Sequence, residues 1–365
     1  MNILIVTRPL SRPWNEGGKN LAYGLAKNIT NHKIHILVRN DFKERLSKNI
    51  VAHKIYPSEK RYNVSFFEKL KLFLFLLKFN GADLYHFIYT PEPYSVIFNN
   101  FLLKVKRKKG IYTTPTQMKN FNFLKNFIFY DKMVVISNYT KNLLESNGFN
   151  NVVKINTGID VNYYFPYEKD PKLLNKFNLY NKKIIMFPFD LEKNKGSREV
   201  FKLICDLEKF KDLFFIFSYR TNNSRISEEK FLRKKLMKKG LLNRVLFFRD
   251  PKDVRVLINI SDVVVYPTKF VYKKHEIPMI LMESMSMGKP IIMWDVPPFN
   301  EVINSDEGIK VKSYDEIKIK VIELIYNDAY IKKISKYARK RILKDFNILN
   351  TAQNYYRLYN QELLS

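Results

Sequence analysis

The chain has 365 residues, a formal net charge of +29, 46% hydrophobic residues and a single cysteine. This length exceeds that of one compact domain and predicts two, and the apolar fraction argues against disorder. Since Cys205 has no second cysteine to pair with, an internal disulfide is excluded, and we expect a cytoplasmic protein with no signal peptide and no membrane-spanning helix. The positive charge leaves nucleic acid, an anionic membrane surface and acidic substrates as compatible partners.

The first strand–loop–helix unit contains a pair of glycines. Residues Asn2–Val6 form an apolar run typical of a buried strand, and Leu21–Ile29 has a helical pattern. Gly17 and Gly18 lie in the loop between them, where glycines can bring backbone N–H groups close to a ligand at a helix start. A simple tight turn is the alternative. Ile34–Val38 predicts the second strand.

Two segments combine apolar residues with lysine. Residues 61–80 predict a helix rich in Phe and Leu with interspersed lysines, which suits either a membrane interface or a mostly buried position. Residues 101–109, FLLKVKRKK, carry five cations beside a short apolar run. This second segment favours contact with anionic lipid, with a solvated helix end as the alternative.

The middle of the chain contains one histidine of interest. His86 ends a predicted strand at residues 83–86, and a further strand is predicted near Tyr112–Thr114. A buried structural role and a functional role at the sheet edge are both open for His86.

The second half of the chain predicts a parallel sheet. Apolar runs at residues 183–187, 214–218 and 245–248 indicate buried strands. Residues 263–266 and 290–293 predict two more strands, joined by a helix that begins near Pro278 and stops at Gly288. Ligands bind at the carboxyl ends of strands in such sheets, and Glu283 lies in this connecting helix, so we expect a ligand site there.

The order of residues from 275 to 292 resembles that of family 4 glycosyltransferases (glycosyl transferases group 1). The matching residues are Pro278, Glu283, Ser284, Met285, Ser286, Gly288, Pro290, Ile291 and Ile292. Glu301 is similar to the family's later glutamate. Residues 134–141, 156–160 and 165–166 also resemble family motifs, and residues 346–359 resemble its closing helix.

The resemblance implies an α/β protein of the GT-B fold, with two Rossmann-like domains facing across a cleft. Residues 1–162 would form the acceptor-side domain, 163–178 the linker, and 179–345 the nucleotide-sugar-binding domain. Residues 346–365 would form a helix that packs back on the first domain. The family relation further implies a UDP- or GDP-linked sugar as co-substrate, no other cofactor and no bound metal.

The resemblance also implies a phosphate-binding cation. Lys195 and Gly196 match the family's Lys-Gly pair, and the lysine would bind the donor diphosphate. Asp190 stands where the family has an arginine, and a carboxylate repels a diphosphate. Another cation therefore replaces the arginine (Lys193, Arg198 or Arg220), or the donor site is altered.

Further site residues follow from the family motif. Glu283 would bind the ribose hydroxyls, and the family's first glutamate would touch the donor sugar. That position is His275 by strict count, with Glu276 one residue later, and either could serve. Lys195, Glu276 and His275 are thus the catalytic candidates. The remaining candidates are donor-binding Gly17, Gly18, Pro278, Met279 and Ile280, with His86, Arg220, Thr268 and Glu301 as further ones.

The sequence therefore predicts a retaining, metal-independent glycosyltransferase. Its acceptor would be a glycan, a lipid-linked sugar or another cell-surface molecule, and its charge favours peripheral association with the inner face of a membrane. The alternatives are a catalytically silent partner subunit of the same fold, a UDP-sugar epimerase, and a basic nucleic-acid-binding protein. No motif for reading nucleic acid accompanies the charge.

Overall fold

The computed structural model describes residues 1–12, 14, 16–58, 64–116, 131–270 and 275–364. The chain divides into two compact units, each of which is continuous in space but not in sequence. The first unit consists of Met1–Asp160, Tyr272–Ile277 and Asp345–Ser365, and the second of Val161–Val271 and Pro278–Lys344. A short loop from the middle of the second half thus belongs to the first unit.

The described strands form two all-parallel sheets, one in each unit. In chain order they are β1 Asn2–Leu10, β2 Lys33–Arg39, β3 Ile50–Tyr56, β4 Leu84–Ile88, β5 Lys109–Thr114, β6 Lys132–Val135, β7 Val152–Lys154, β8 Lys183–Pro188, β9 Leu213–Tyr219, β10 Val245–Arg249, β11 Val263–Tyr266, β12 Ile291–Trp294 and β13 Ile309–Val311. The sheet orders are β3-β2-β1-β4-β5-β6-β7 and β10-β9-β8-β11-β12-β13. These are doubly wound Rossmann-like sheets.

Helices connect the strands and cover both faces of the first sheet. Those described are α1 Gly17–Asn28, α2 Phe66–Lys78, α3 Pro93–Lys106, α4 Asn138–Ser146, α5 Pro171–Lys176, α6 Ser197–Asp206, α7 Asn223–Lys238, α8 Val254–Ile260, α9 Met279–Ser286, α10 Tyr314–Ile325, α11 Asp328–Asp345 and α12 Ile348–Leu364. Side chains of α1 and α12 share one core cluster, and those of α2, α3 and α4 share another. The C-terminal helix therefore packs on the first unit, as predicted.

Several boundaries differ from the sequence-based predictions. β1 continues beyond Val6 to Leu10 across a register shift that includes Pro9, which has no N–H to donate to the sheet. α1 begins at Gly17, four residues before the predicted start. β3 was not predicted, because its sequence IVAHKIY lacks a continuous apolar run.

For the helix predicted at residues 61–80, the sequence left a membrane interface and a mostly buried position open, and α2 is not mostly buried. Its buried residues are Glu68 and Leu76, and its N-terminus is fixed by a capping box between Ser65 and Glu68. Residues 61–63 of the predicted helix lie outside the described residues. Within the part of the chain that the structure describes, no helix is both long enough and apolar enough to cross a membrane.

A buried hydrogen-bond network joins α12 to the sheet. His86 Nδ1 lies 2.7 Å from the Tyr359 hydroxyl, and its Nε2 lies 2.7 Å from Thr113 Oγ1. Thr113 Oγ1 is also 2.9 Å from the Tyr355 hydroxyl. Burial lowers the pKa of His86 to about 3, so the ring is neutral. Both ring nitrogens are engaged, so the structure places His86 in a structural role, the first of the two alternatives.

We expect Tyr359→Phe to lower the free energy of unfolding by roughly 1–3 kcal/mol, because it leaves His86 Nδ1 buried without a partner. Urea denaturation followed by circular dichroism would measure this change. Tyr337→Phe, at an exposed position on α11, is the matched control and should lie close to wild type. Equal stability of the two variants would contradict the anchoring role of the network.

Candidate active site

The carboxyl edge of the second sheet gathers polar residues from three strands. Asp190 follows β8, Arg220 follows β9, and Thr268 follows β11 by two residues. The strands are parallel and adjacent in the order β9-β8-β11, so these residues lie at one edge. Thr268 is fully buried, and its Oγ1 accepts a hydrogen bond from Phe270 N at 3.1 Å.

Gly196 brings a helix terminus against this edge. It has φ +106° and is the N-cap of α6. A Cβ at this position would lie 2.7 Å from the carbonyl oxygen of Pro267, at the end of β11. No other residue type fits without strain, so glycine is required here. The N-terminal N–H groups of α6 form a favourable site for an anion.

Lys195 lies one residue before this glycine and belongs to an ion-pair cluster. Its Nζ is 2.9 Å from Glu192 Oε2 and 3.7 Å from Asp190 Oδ2. The ammonium also lies 5.1 Å from the centre of the Phe270 ring. The lysine is therefore held in a defined place at the strand ends, where a diphosphate could compete for its charge.

Arg225, which the sequence analysis missed, completes the cluster. Its Nη2 lies 2.8 Å from Asp190 Oδ1 and its Nε lies 3.1 Å from Glu192 Oε1. Its Nη1 donates to the carbonyl oxygen of Arg220 at 2.9 Å. Arg225 lies in the first turn of α7, whose N-cap is Asn222. The Asn-x-x-Arg pattern could have indicated a helix start, but nothing in it indicates a partner for Asp190.

The cluster has an excess of positive charge. The cations are Lys195, Arg220 and Arg225, with Arg220 Nη2 4.0 Å from Asp190 Oδ1, and the anions are Asp190 and Glu192. Three cations against two carboxylates leave a formal charge of +1. The aspartate in the family's arginine position therefore does not make this edge negative, because neighbouring guanidinium groups offset it.

Arg198 and Lys193, the other two candidates to replace the family's arginine, have different surroundings. Arg198 pairs with Glu228 at 3.3 Å, and its guanidinium carbon stacks 3.6 Å from the centre of the Phe231 ring. Both partners belong to α7, which holds the arginine against that helix. Lys193 is exposed within the 3-10 turn Lys193–Lys195.

Glu283 is a buried carboxyl group in α9. Its exposed fraction is 6%, and it forms a hydrogen bond with the Tyr164 hydroxyl, which the sequence analysis did not single out. Burial raises the pKa of Glu283 to about 7, and the negative charge of Asp253 acts in the same direction. Hydrogen bonds donated to a carboxyl group favour its ionised form, so donors on a ligand would lower this pKa.

The start of α9 contains three further candidates. Pro278 is the N-cap, and Met279 and Ile280 form the first turn, where both are half-buried. The first N–H groups of a helix have no partner within it, so this turn offers donors to a ligand. Glu301 lies beyond β12 in the 3-10 turn Phe299–Val302, where its carbonyl oxygen accepts from Arg341 at 3.4 Å.

In the first unit, His275 packs against the start of α1. A Cβ on Gly17 would lie 2.2 Å from His275 Cδ2, so a glycine is needed for the imidazole to approach. Gly18 is less confined, since a Cβ there would meet its nearest neighbours, Pro115 and Ile88, at 3.9 and 4.0 Å. Gly17, the first residue of α1, therefore makes room for the histidine ring.

The imidazole of His275 has a defined tautomer. Nδ1 lies 2.7 Å from the carbonyl oxygen of Ile277 and donates to it. Burial lowers the pKa of His275 to about 4, so the ring is neutral and Nε2 carries a lone pair. Among the described residues, this buried Nε2 has no hydrogen-bond partner. Its lone pair is thus a buried acceptor that none of the described residues uses.

Glu276 holds this loop in the first unit. Its carboxylate accepts from Ser137 Oγ at 2.6 Å and from Thr140 Oγ1 at 2.5 Å, and the side chain is buried. Ser137 is the N-cap of α4, so the negative charge lies at a helix N-terminus, where it is favourable. The backbone N–H of Glu276 also donates to the carbonyl oxygen of Pro115 at 3.0 Å. The carboxylate of Glu276 thus holds the loop against α4, and the imidazole of the neighbouring His275 packs on Gly17.

Within the described residues, no group of three or more His, Cys, Asp or Glu side chains is arranged to hold a metal ion.

Sequence comparisons give the class of protein. The family model described as "Glycosyl transferases group 1" matches residues 170–341, which is most of the second unit. An uncharacterized glycosyltransferase of Methanocaldococcus jannaschii is 24% identical over 364 residues, covering 93% of this chain and 89% of the relative.

Solved structures with the same fold cover both units. A glycosyltransferase from Rickettsia africae has a TM-score of 0.77 at 20% identity and covers 99% of this chain and 98% of its own. Anabaena HepE in complex with UDP and glucose has a TM-score of 0.77 at 14% identity, with coverage of 99% and 100%. Sucrose-phosphate synthase from Thermosynechococcus elongatus has a TM-score of 0.79 at 14% identity, with coverage of 99% and 98%.

Two Rossmann-like sheets with a C-terminal helix on the first unit define the protein as an α/β enzyme of the GT-B fold. The protein is a glycosyltransferase that uses a nucleotide-sugar donor, and its residues 170–341 match the model of the group 1 (family 4) glycosyltransferases.

We expect the stability of the protein to depend on pH through Glu283. Its pKa is raised from an ordinary value of 4.5 to about 7, so the folded chain holds this proton more tightly than the unfolded chain. Stability should therefore fall by about 3 kcal/mol as the pH rises from below 4.5 to above 7. Glu283→Gln removes this dependence: it should resemble wild type at pH 5 and be the more stable protein at pH 8.

Urea denaturation of both proteins at the two pH values would measure the difference. Glu199→Gln, at an exposed position on α6, is the control and should keep the wild-type dependence. Parallel pH profiles for wild type and Glu283→Gln would contradict the raised pKa.

Proposed function

We propose that this glycosyltransferase binds a UDP-linked sugar through the ion-pair cluster and α9 of the second unit. The main support for this proposal is the position of Lys195 and Gly196 at the strand ends, where Gly196 is the N-cap of α6. Support for uridine comes from structures of similar fold, since Anabaena HepE is described in complex with UDP and with UDP-glucose. A GDP-linked sugar is the alternative donor of the same chemical class.

In the proposed reaction, a hydroxyl oxygen of the acceptor bonds to the anomeric carbon of the sugar. The bond between that carbon and the diphosphate oxygen breaks, negative charge grows on the leaving diphosphate, and this diphosphate takes up the proton of the acceptor hydroxyl. Groups that stabilise this charge lower the barrier. Lys195 and the N-terminal N–H groups of α6 are placed to do so, while Arg225 engages Asp190 and Glu192 and so limits their repulsion of the phosphates.

Glu283 is proposed to bind the ribose hydroxyls. A carboxylate can accept from two neighbouring hydroxyl groups, and such bonds stabilise its ionised form. The buried carboxyl with a pKa near 7 would therefore lose its proton when the nucleotide binds. Pro278, Met279 and Ile280 at the start of the same helix would supply backbone contacts to the donor.

His275 is proposed to recognise a hydroxyl group of the transferred sugar. Its Nε2 lone pair can accept one O–H, and its Nδ1 is fixed by the carbonyl oxygen of Ile277. Glu276 then acts as the residue that positions this loop, since both of its oxygens accept from α4 residues. Gly17 leaves the space that the ring occupies.

The acceptor is proposed to be a glycan, a lipid-linked sugar or another cell-surface molecule. Retention of the anomeric configuration and independence from metal ions are carried over from the family resemblance. An acceptor on a lipid carrier would bring the enzyme to the inner face of a membrane, for which the charge of +29 is suitable.

The donor proposal is tested by thermal shift with UDP-, GDP- and dTDP-sugars. UDP-glucose in large excess over its dissociation constant should stabilise the fold by ~2–3 kcal/mol. Lys195→Ala should lower transfer by about 100-fold or more. Glu283→Ala should weaken nucleotide binding. Lys193→Ala, an exposed lysine of the same 3-10 turn, is the matched control and should keep wild-type turnover.

A thermal shift with GDP- or dTDP-sugars but not with UDP-sugars would show that the donor nucleotide is not UDP. Unchanged turnover of Lys195→Ala, or a loss confined to Lys193→Ala, would refute the proposed phosphate site.

The role of His275 predicts a separation of sugar recognition from nucleotide binding. We expect His275→Ala to lower kcat/KM by about 10–100-fold, because one hydrogen bond to the sugar is lost, while the affinity for UDP stays unchanged. His275→Gln, whose amide oxygen can accept a hydrogen bond, should recover part of the activity. Calorimetry with UDP and steady-state kinetics would measure the two quantities. An equal loss of UDP affinity would assign the histidine to the nucleotide instead.

A further inference from the structure

Two neighbouring helices of the first unit expose apolar side chains along one face each. On α2 these follow i, i+4, i+8 spacing with one additional phenylalanine, and on α3 they follow i, i+3, i+7, i+11 spacing. The residues, each between 45% and 88% exposed, are Phe66, Phe67, Leu70 and Leu74 on α2, and Tyr94, Ile97, Phe101 and Val105 on α3. Singly exposed apolar residues are ordinary, but a continuous patch indicates a contact surface.

The two helices lie side by side on the same face of the first sheet. Phe73 of α2 and Phe98 of α3 have ring centres 4.6 Å apart. At the other end, Lys106 Nζ of α3 donates to the carbonyl oxygens of Leu77 and Phe79 at 2.9 and 3.0 Å. The two apolar faces therefore belong to one surface, which we call the α2–α3 surface.

The α2–α3 surface has a basic rim. The exposed cations of the two helices and of the residue that follows α3 are Lys69, Lys71, Lys78, Lys104 and Arg107. The carboxylate within the two helices, Glu68, is buried and paired with Arg39 at 3.1 Å. The surface thus combines an apolar centre with five exposed cations around it, against one exposed carboxylate, Glu92, at the N-cap of α3.

We propose that the α2–α3 surface docks on a bilayer that contains anionic phospholipid. The phenylalanine, leucine and tyrosine side chains would enter the boundary between headgroups and acyl chains, and the rim cations would contact lipid phosphates. Charge distinguishes this occupant from a second copy of the chain. Two copies meeting through this surface would bring like-charged rims together, whereas an anionic bilayer neutralises them.

The orientation of the helices links this surface to the site in the first unit. α2 connects β3 to β4, and α3 connects β4 to β5, so both helices begin at the carboxyl edge of the sheet. α1, with Gly17 and the packed ring of His275, begins at the same edge. Docking through Phe66, Phe67 and Tyr94 therefore brings this edge close to the headgroups. This orientation suits a lipid-linked acceptor and in that respect rests on the proposed function.

The test is flotation of the full-length protein with vesicles of phosphatidylcholine, with and without phosphatidylglycerol, at physiological salt. Wild type should float with the anionic vesicles and remain largely unbound with pure phosphatidylcholine. The double variant Phe66→Ser/Phe67→Ser should lower the vesicle partition coefficient by about tenfold or more, because two large apolar side chains are lost. Lys69→Glu/Lys71→Glu should weaken binding to the anionic vesicles and reduce its salt dependence.

The matched control is Leu343→Ser/Leu349→Ser, which removes two exposed leucines from α11 and α12. Its flotation should equal that of wild type. The thermal shift with UDP-glucose should also be the same in wild type and in Phe66→Ser/Phe67→Ser, which shows that the variant is folded. Failure of the donor proposal would remove the shift from both proteins and leave flotation as it was, so the two proposals fail separately.

Three results would overturn the docking proposal. These are equal flotation with both kinds of vesicle, unchanged flotation of Phe66→Ser/Phe67→Ser, and a dimer of wild type in lipid-free ultracentrifugation that this variant abolishes. The last result would assign the surface to a second copy of the chain.

Discussion

The pairing of Arg225 with Asp190 sets the balance of charge at the carboxyl edge of the second sheet. Asp190 follows β8 at the sheet edge, where an uncompensated carboxylate would repel a diphosphate. Arg225 reaches it from the first turn of α7 at 2.8 Å and also engages Glu192. With Lys195 and Arg220 in the same cluster, the edge keeps an excess of one positive charge. The arginine that the family has at this position is thus absent. Arg220, which follows β9, and Arg225 of α7 supply positive charge beside Asp190 in its place.

Local sequence pattern was sufficient for β1, β2, β4 and β5 of the first sheet and for β8 to β12 of the second. β8, β9, β10 and β11 are short apolar runs, and in a parallel sheet covered on both faces such runs are expected. Pattern was insufficient for β3, an edge strand whose short apolar run is interrupted by His53 and Lys54. It also failed for the start of α1, where Gly17 and Gly18 weaken helix propensity, while Gly17 is required by its contact with His275, far away in sequence.

The candidate site shows the same division between motif and tertiary contact. Lys195, Gly196 and Glu283 are candidates from a motif, and the structure places Lys195 and Gly196 at the strand ends and Glu283 within α9. Arg225 and Tyr164 were missed, since each acts on a residue more than 30 positions away. No pattern within one segment reports a contact of that kind.

The two histidines His86 and His275 show how burial alone leaves a role undecided. Both rings are neutral, with pKa values lowered to about 3 and about 4 by burial. His86 has a partner at each nitrogen and fixes α12 to the sheet. His275 has a partner at Nδ1, while its Nε2 lies beside Gly17 with none among the described residues. The difference lies in hydrogen-bond satisfaction, which depends on the fold and is invisible in the sequence.

Three features of this chain depart from the arrangement that maximises stability, and each has a counterpart in the proposed activity. Glu283 is a carboxyl group buried at a cost that grows with pH, His275 Nε2 is a buried acceptor, and the α2–α3 surface exposes eight large apolar side chains. Elsewhere, apolar residues fill the sheets and buried charges such as Glu68 are paired. Other buried polar atoms also lack a partner among the described residues, so the three features are set apart by their place at the candidate site or on the surface. A ribose, a sugar hydroxyl and a lipid surface would each satisfy one of these three groups.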